Sequence, residues 1–153
     1  RYRNIAIPSA AEISAWRKQA KEQLPPRLSE LAVRYGFSYN KVTIKHNATN
    51  WGSCSTKANI NLNLNLVRLP QALRDYIMLH ELCHLRHHDH GHGFHLLLEH
   101  VLTDDLMKLI DDIELSDDDR AVVMEVARNS AVSKARYPLD YTITRFIKRY
   151  SMV

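Results

Sequence analysis

His80-Glu81-Leu82-Cys83-His84, with the histidine-rich stretch that runs on to His90, is the segment on which the reading of the whole chain turns. Residues four apart stack on one face of an α-helix, so His80 and His84 can present imidazole nitrogens to a single point. Such a point suits a divalent metal, and zinc is the default ion for imidazole ligands. Glu81 projects about 100° round the helix from His80, where its carboxylate can take a proton from water. This is the arrangement that a zinc hydrolase needs.

The surroundings agree with it. Pro70 suits the first helical position, and Leu73, Ile77, His80 and His84 share one side of the helix that follows. After the helix comes Asp89-His90-Gly91-His92-Gly93, whose two glycines permit a sharp reversal that brings His90 back as a third ligand. Three protein ligands leave a fourth position open for water, which distinguishes a catalytic zinc from a structural one. Glu99, on the next helical segment, is the rival third ligand. His87, His88, His92 and His95 are expected to face solvent or to support the ligands. Asp75, Asp89 and Glu99 are the candidates to hold the second nitrogen of a ligating imidazole. Tyr76 and the extra histidines are the candidates to stabilise an oxyanion.

Trp51-Gly52-Ser53-Cys54-Ser55, Ile60-Asn61-Leu62-Asn63, Pro70, His80-Glu81-Leu82-Cys83-His84-Leu85, His90 and Phe94 occur in this order. In these motifs the chain resembles the bacterial YgjP-like metal-dependent hydrolases, which are themselves similar to the SprT group of zincin metallopeptidases. The resemblance covers roughly residues 25–102. It implies an α+β, zincin-like fold with N-terminal helices, a small and mostly antiparallel sheet, the active-site helix and C-terminal helices. It also implies His80, His84 and His90 as the metal ligands and Glu81 as the catalytic base. Two positions depart from the family: Asn50 stands where a basic residue is frequent, and His95 where an aromatic is frequent. Both bear on substrate contacts. The first residue is Arg1 rather than Met, and the expectation is a piece of a longer protein, since relatives often carry a β-rich segment before this point.

The remaining elements follow from local signals. Ser9 and Glu12 form a capping box for a helix to about Leu24, Pro25-Pro26 is expected to interrupt it, and a second helix should stop at Gly36. From Lys41 the apolar period becomes two, with Val42 and Ile44 in one strand and Ile60, Leu62, Leu64 and Leu66 in another. Trp51 is read as core, and residues 51–55 as a link or a short strand. Past the bend, Phe94, Leu97, Leu98 and Val101 have helical spacing, and Thr103 is expected to cap a further helix with Leu106 and Leu109. Ser116 caps another helix that begins with Asp117, Asp118 and Asp119, and a short one is expected from Pro138 to about Tyr150. Residues 1–153 are expected to be one domain, with a core at about 25–102 and a helical extension at about 103–153.

Charge and composition narrow the function further. The net charge is +4, and residues 1–60 hold ten basic side chains against three acidic ones, offset by an acidic run at residues 104–119. Nothing reads a base sequence, and no apolar stretch approaches the roughly 20 residues that span a bilayer. The expected compartment is the cytoplasm, where Cys54 and Cys83 stay reduced thiols. The leading reading is a zinc metallopeptidase acting on extended peptide or protein chains. A nucleoside triphosphate (UTP) pyrophosphatase using the same metal is an alternative, against which stands the lack of a Gly-rich phosphate loop. The other is a non-catalytic DNA-associated or scaffold module whose zinc is closed by a fourth protein ligand such as His92 or Cys83.

Overall fold

In the computed structural model, which describes residues 7–153, the first helix runs straight through the proline pair expected to divide it. Helix α1 (Ala10–Tyr35) begins with the reciprocal Ser9 and Glu12 bonds of a capping box and ends at Gly36, which adopts φ +73°. Each internal proline loses a backbone hydrogen bond and costs about 3 kcal/mol. Ala20, Leu24, Leu28 and Leu31 lie on both sides of the pair and are fully buried against one core. Burying a leucine is worth roughly 1.5–3 kcal/mol, so the shared stripe offsets the proline penalty. Arg1 and Arg3, counted among the basic side chains above, lie outside the described residues.

The sheet holds β1 (Lys41–Lys45), β2 (Gly52–Cys54) and β3 (Asn59–Asn63) in the order β1-β3-β2. β1 pairs with β3 in parallel, Ile44 opposite Leu62, and β2 pairs with β3 antiparallel, Gly52 opposite Leu62. The sheet is therefore mixed rather than mostly antiparallel. Period-two alternation places side chains on faces and carries no information about strand direction. Leu64 and Leu66 do not continue β3 but enter a 3-10 turn, Leu64–Arg68. The asparagines of this alternating stretch are not all on a wet face: Asn63 and Asn65 are buried. Asn63 accepts from the backbone N–H of Asn65 at 2.9 Å and donates to the carbonyls of Asn47 and Asn50. Trp51 is half-buried and packs on the core, as read from its sequence context.

α2 (Gln71–Cys83) starts just after Pro70 and packs against β2 and the following helices. α3 (His92–Ile110) is one helix, where a break and a new cap at Thr103 had been expected. The Thr103 hydroxyl instead donates back to the Glu99 carbonyl at 2.8 Å, the alternative use of a mid-helix threonine. α4 (Asp117–Val132) is capped by Ser116, and α5 (Pro138–Ile147) closes the architecture over α3. Among the described residues no helix is long and apolar enough to cross a membrane.

A buried ion cluster joins the first three helices. Arg27 on α1 holds the fully buried Asp75 of α2 with two bonds, of 3.0 and 2.6 Å, and Arg34 holds Asp105 of α3 at 3.0 Å. Burial and then the neighbouring Asp75 carboxylate push the Asp105 pKa from 3.8 up to about 9, against the opposing pull of Arg27 and Arg34. An acid raised in this way binds its proton more tightly in the folded chain. The stability it contributes is complete below pH 3.8 and is lost as pH rises towards 9. We expect the urea midpoint of the metal-free protein to fall between pH 5 and pH 9, and to fall less steeply in Asp105→Asn; parallel pH profiles would contradict this.

Candidate metal centre

His80 and Glu81 sit on the last turn of α2, and His84 is its C-cap residue. The next residues fold back because their backbone and side chains close on one another. His87 N–H donates to the Cys83 carbonyl at 3.0 Å, and the Gly91 N–H donates to Asp89 Oδ1 at 2.9 Å. Arg86 ties the bend to the end of α1, donating to the Gly36 carbonyl at 2.7 Å with its guanidinium over the Phe37 ring. The two glycines of the bend serve close approach rather than left-handed backbone, since neither has a positive φ. A β-carbon on Gly93 would lie 3.0 Å from the His87 imidazole, and one on Gly91 would lie 2.8 Å from Asp89 Oδ1.

This folding brings three imidazoles together. One nitrogen from each of His80, His84 and His90 lies within 4.8 Å of the others. His84 Nε2 and His90 Nε2 are 3.1 Å apart, close to the roughly 3.3 Å edge of a tetrahedron with zinc–nitrogen bonds of about 2.05 Å. His84 Nδ1–H donates to the His87 carbonyl at 2.9 Å, which leaves the lone pair of the neutral ring on Nε2, facing His90. Desolvation, followed by His84 and His80, lowers the His90 pKa, which favours the neutral form that metals bind. The donor set fits a divalent ion, and zinc among such ions.

Phe94 lies under the cluster. Its fully buried ring stacks on His84 at 4.4 Å between centroids and meets His80 and His90 edge-on at 5.0 and 5.1 Å. Glu81 is buried beside the imidazoles, with Oε2 3.2 Å from His80 Nδ1. Gly52 of β2 lies directly against it: a β-carbon there would be 3.1 Å from Glu81 Cγ, 3.2 Å from the Asn61 carbonyl and 3.3 Å from Ile77. Gly52 is a site residue that periodicity does not reveal, because its role is the closeness of strand to helix.

Other candidates lie elsewhere. Both oxygens of Glu99 accept backbone N–H groups at the start of α5, Leu139 at 2.8 Å and Asp140 at 3.0 Å, so this carboxylate is a cap and not the third ligand. Asp75 belongs to the ion cluster with Arg27, and Asp89 holds the Gly91 N–H. Among the described residues none of the three expected carboxylates holds an imidazole of the cluster; a backbone carbonyl does so for His84. Tyr76 OH donates to Asp140 at 2.6 Å and is buried, which removes it as an oxyanion donor. Burial pushes the Cys83 thiol up to about 12, and burial and then Glu81 raise that of Cys54. Neither thiol joins the cluster. His92 Nδ1 faces the Tyr137 hydroxyl, and His95 Nδ1 faces Asp140 Oδ2 at 3.0 Å.

Three imidazoles and a buried carboxylate set between the end of one helix and the start of the next form an arrangement that a metal-dependent hydrolase can use. Residues 9–108 match the model of the YgjP-like metallopeptidase domain, and the chain belongs to the YgjP-like family. The match begins at α1, earlier than the stretch legible as a resemblance, and leaves α4 and α5 outside. A solved structure, the metallopeptidase zymogen abylysin of Pyrococcus abyssi, is similar at 18% identity and TM-score 0.46, over 61% of this chain and 98% of that one. Likeness at that level adds nothing to the family assignment. No curated protein matches the chain.

Gly52→Ala must push β2 away from Glu81. We expect kcat/KM to drop at least about tenfold while bound metal per chain stays constant, because a small misplacement of a reacting group is costly; full activity in this variant would show that the close packing is irrelevant to turnover.

Proposed function

We propose that this chain is a zinc-dependent peptidase that cleaves extended peptide or protein substrates, with His80, His84 and His90 holding the metal and Glu81 as general base. The observation that carries this reading is the convergence of the three imidazole nitrogens beside a buried carboxylate. Zinc, when bound, supplies a Lewis acid that lowers the pKa of water towards about 7 and polarises a carbonyl. Glu81 takes a proton from the attacking water as its oxygen bonds to the carbonyl carbon, and returns that proton to the amine as the C–N bond breaks. His84 keeps its ligating nitrogen free through its bond to the His87 carbonyl. Phe94 excludes water from behind the rings.

β2 supports the choice of substrate. Among the described residues it pairs with β3 on one side only, and its Gly52 lies against Glu81, so its other edge can hydrogen-bond an extended peptide. The basic side chains of the first third give less support to a nucleotide substrate, since Arg27 and Arg34 point inward to Asp75 and Asp105. A closed structural zinc is not favoured either, because the cluster among the described residues has three members and His92 is engaged with Tyr137. Residues 1–153 are proposed as one domain, working in the cytoplasm.

Zinc-loaded protein should cut an unfolded protein substrate and release no pyrophosphate from UTP. Glu81→Gln should retain one zinc per chain and lose about 10²- to 10⁴-fold in kcat. Undiminished cleavage by Glu81→Gln, or pyrophosphate release in place of cleavage, would overturn the reading.

A further inference from the structure

α5 lies outside the family match, yet it delivers a carboxylate to the edge of the site. Asp140 Oδ1 accepts from Tyr76 OH at 2.6 Å, and its Oδ2 lies 3.0 Å from His95 Nδ1. Tyr76 is one turn before His80 on α2, with ring centroids 5.9 Å apart. His95 directly follows Phe94, and its ring centroid is 6.4 Å from that of His90. The His95 ring also stacks on Tyr137 at 5.0 Å and 21°, immediately before α5. The position of the imidazole is thus set from two sides, by a hydrogen bond and by a stack.

A carboxylate only accepts, so the bond to Asp140 puts a proton on His95 Nδ1 and leaves the lone pair of the neutral ring on Nε2. Nε2 has no hydrogen-bond partner among the described residues, and the side chain is 29% exposed. We propose that His95 is a substrate-binding residue: held by Asp140 and Tyr137, its Nε2 accepts a hydrogen bond from a backbone N–H of the peptide lying beside the three-histidine cluster. The inference rests on the peptidase reading above. Asp140 acts through His95 and is a positioning residue. Helix α5 and the residue before it thereby contribute to the substrate site rather than merely cover the core.

Binding separates this role from turnover. The zinc-loaded Glu81→Gln protein serves as the parent, and the probe is an unfolded peptide that the wild type cleaves. His95→Phe keeps an aromatic ring against Tyr137 and removes both nitrogens, and should weaken the peptide Kd about 3- to 10-fold, the effect of one neutral hydrogen bond. Asp140→Asn can donate to Nδ1 and so move the ring proton to Nε2, and should weaken binding equally. Tyr76→Phe, which leaves the His95 pair intact, should stay within about twofold. A series of peptides with single N–H groups replaced by ester oxygen supplies a readout that a structural role does not move. At one position the effect of His95→Phe should vanish; His95→Gln, tested in the same series, guards against a variant that fails to fold. Equal binding by parent and His95 variants, or a loss unchanged at every ester position, overturns the role of His95 alone. No peptide binding by the parent overturns the peptidase reading as well.

Discussion

The hydrogen bond from His84 Nδ1 to the His87 carbonyl is the constraint on which the candidate centre depends. It joins the end of α2 to the bend three residues later, at 2.9 Å, and decides which nitrogen of His84 meets His90. Without it the imidazole can turn either nitrogen inward, and the 3.1 Å approach to His90 Nε2 is no longer fixed. Arg86 fastens the bend to Gly36, and the missing side chain of Gly93 makes room for the His87 ring.

The same economy of space governs the carboxylate. Glu81 is placed by α2 and packed against Gly52, whose strand comes as close as a glycine allows. The orientation of α2 depends in turn on Asp75, gripped by Arg27 from a helix that two prolines fail to break. Helix α1, far from the imidazoles in sequence, is thereby tied to the helix that carries His80 and Glu81. α5 contributes from the other side through Asp140, which links Tyr76 on α2 to His95 on α3.

What the sequence discloses is what depends on neighbours along the chain. The i, i+4 spacing of His80 and His84, the cap at Ser116 and the stop at Gly36 are local, and each was legible. The motif order around Gly52 and Phe94 pointed to the family without stating what either residue does. Non-local relations stayed hidden. Pro25-Pro26 reads as a break because the leucine stripe that overrides it gains its energy from packing partners more distant in the chain. The direction of β1 against β3 leaves no trace in alternation. Glu99 looked like a ligand because its true partners, the first N–H groups of α5, lie 40 and 41 residues further on.

The most direct measurement is anomalous diffraction at the zinc edge from crystals of the zinc-loaded protein. The predicted result is one peak per chain within bonding distance of a nitrogen from each of His80, His84 and His90, with no fourth protein ligand and with His84 Nδ1 still on the His87 carbonyl. Zinc bound elsewhere, or a fourth side chain closing the site, would contradict the proposed centre.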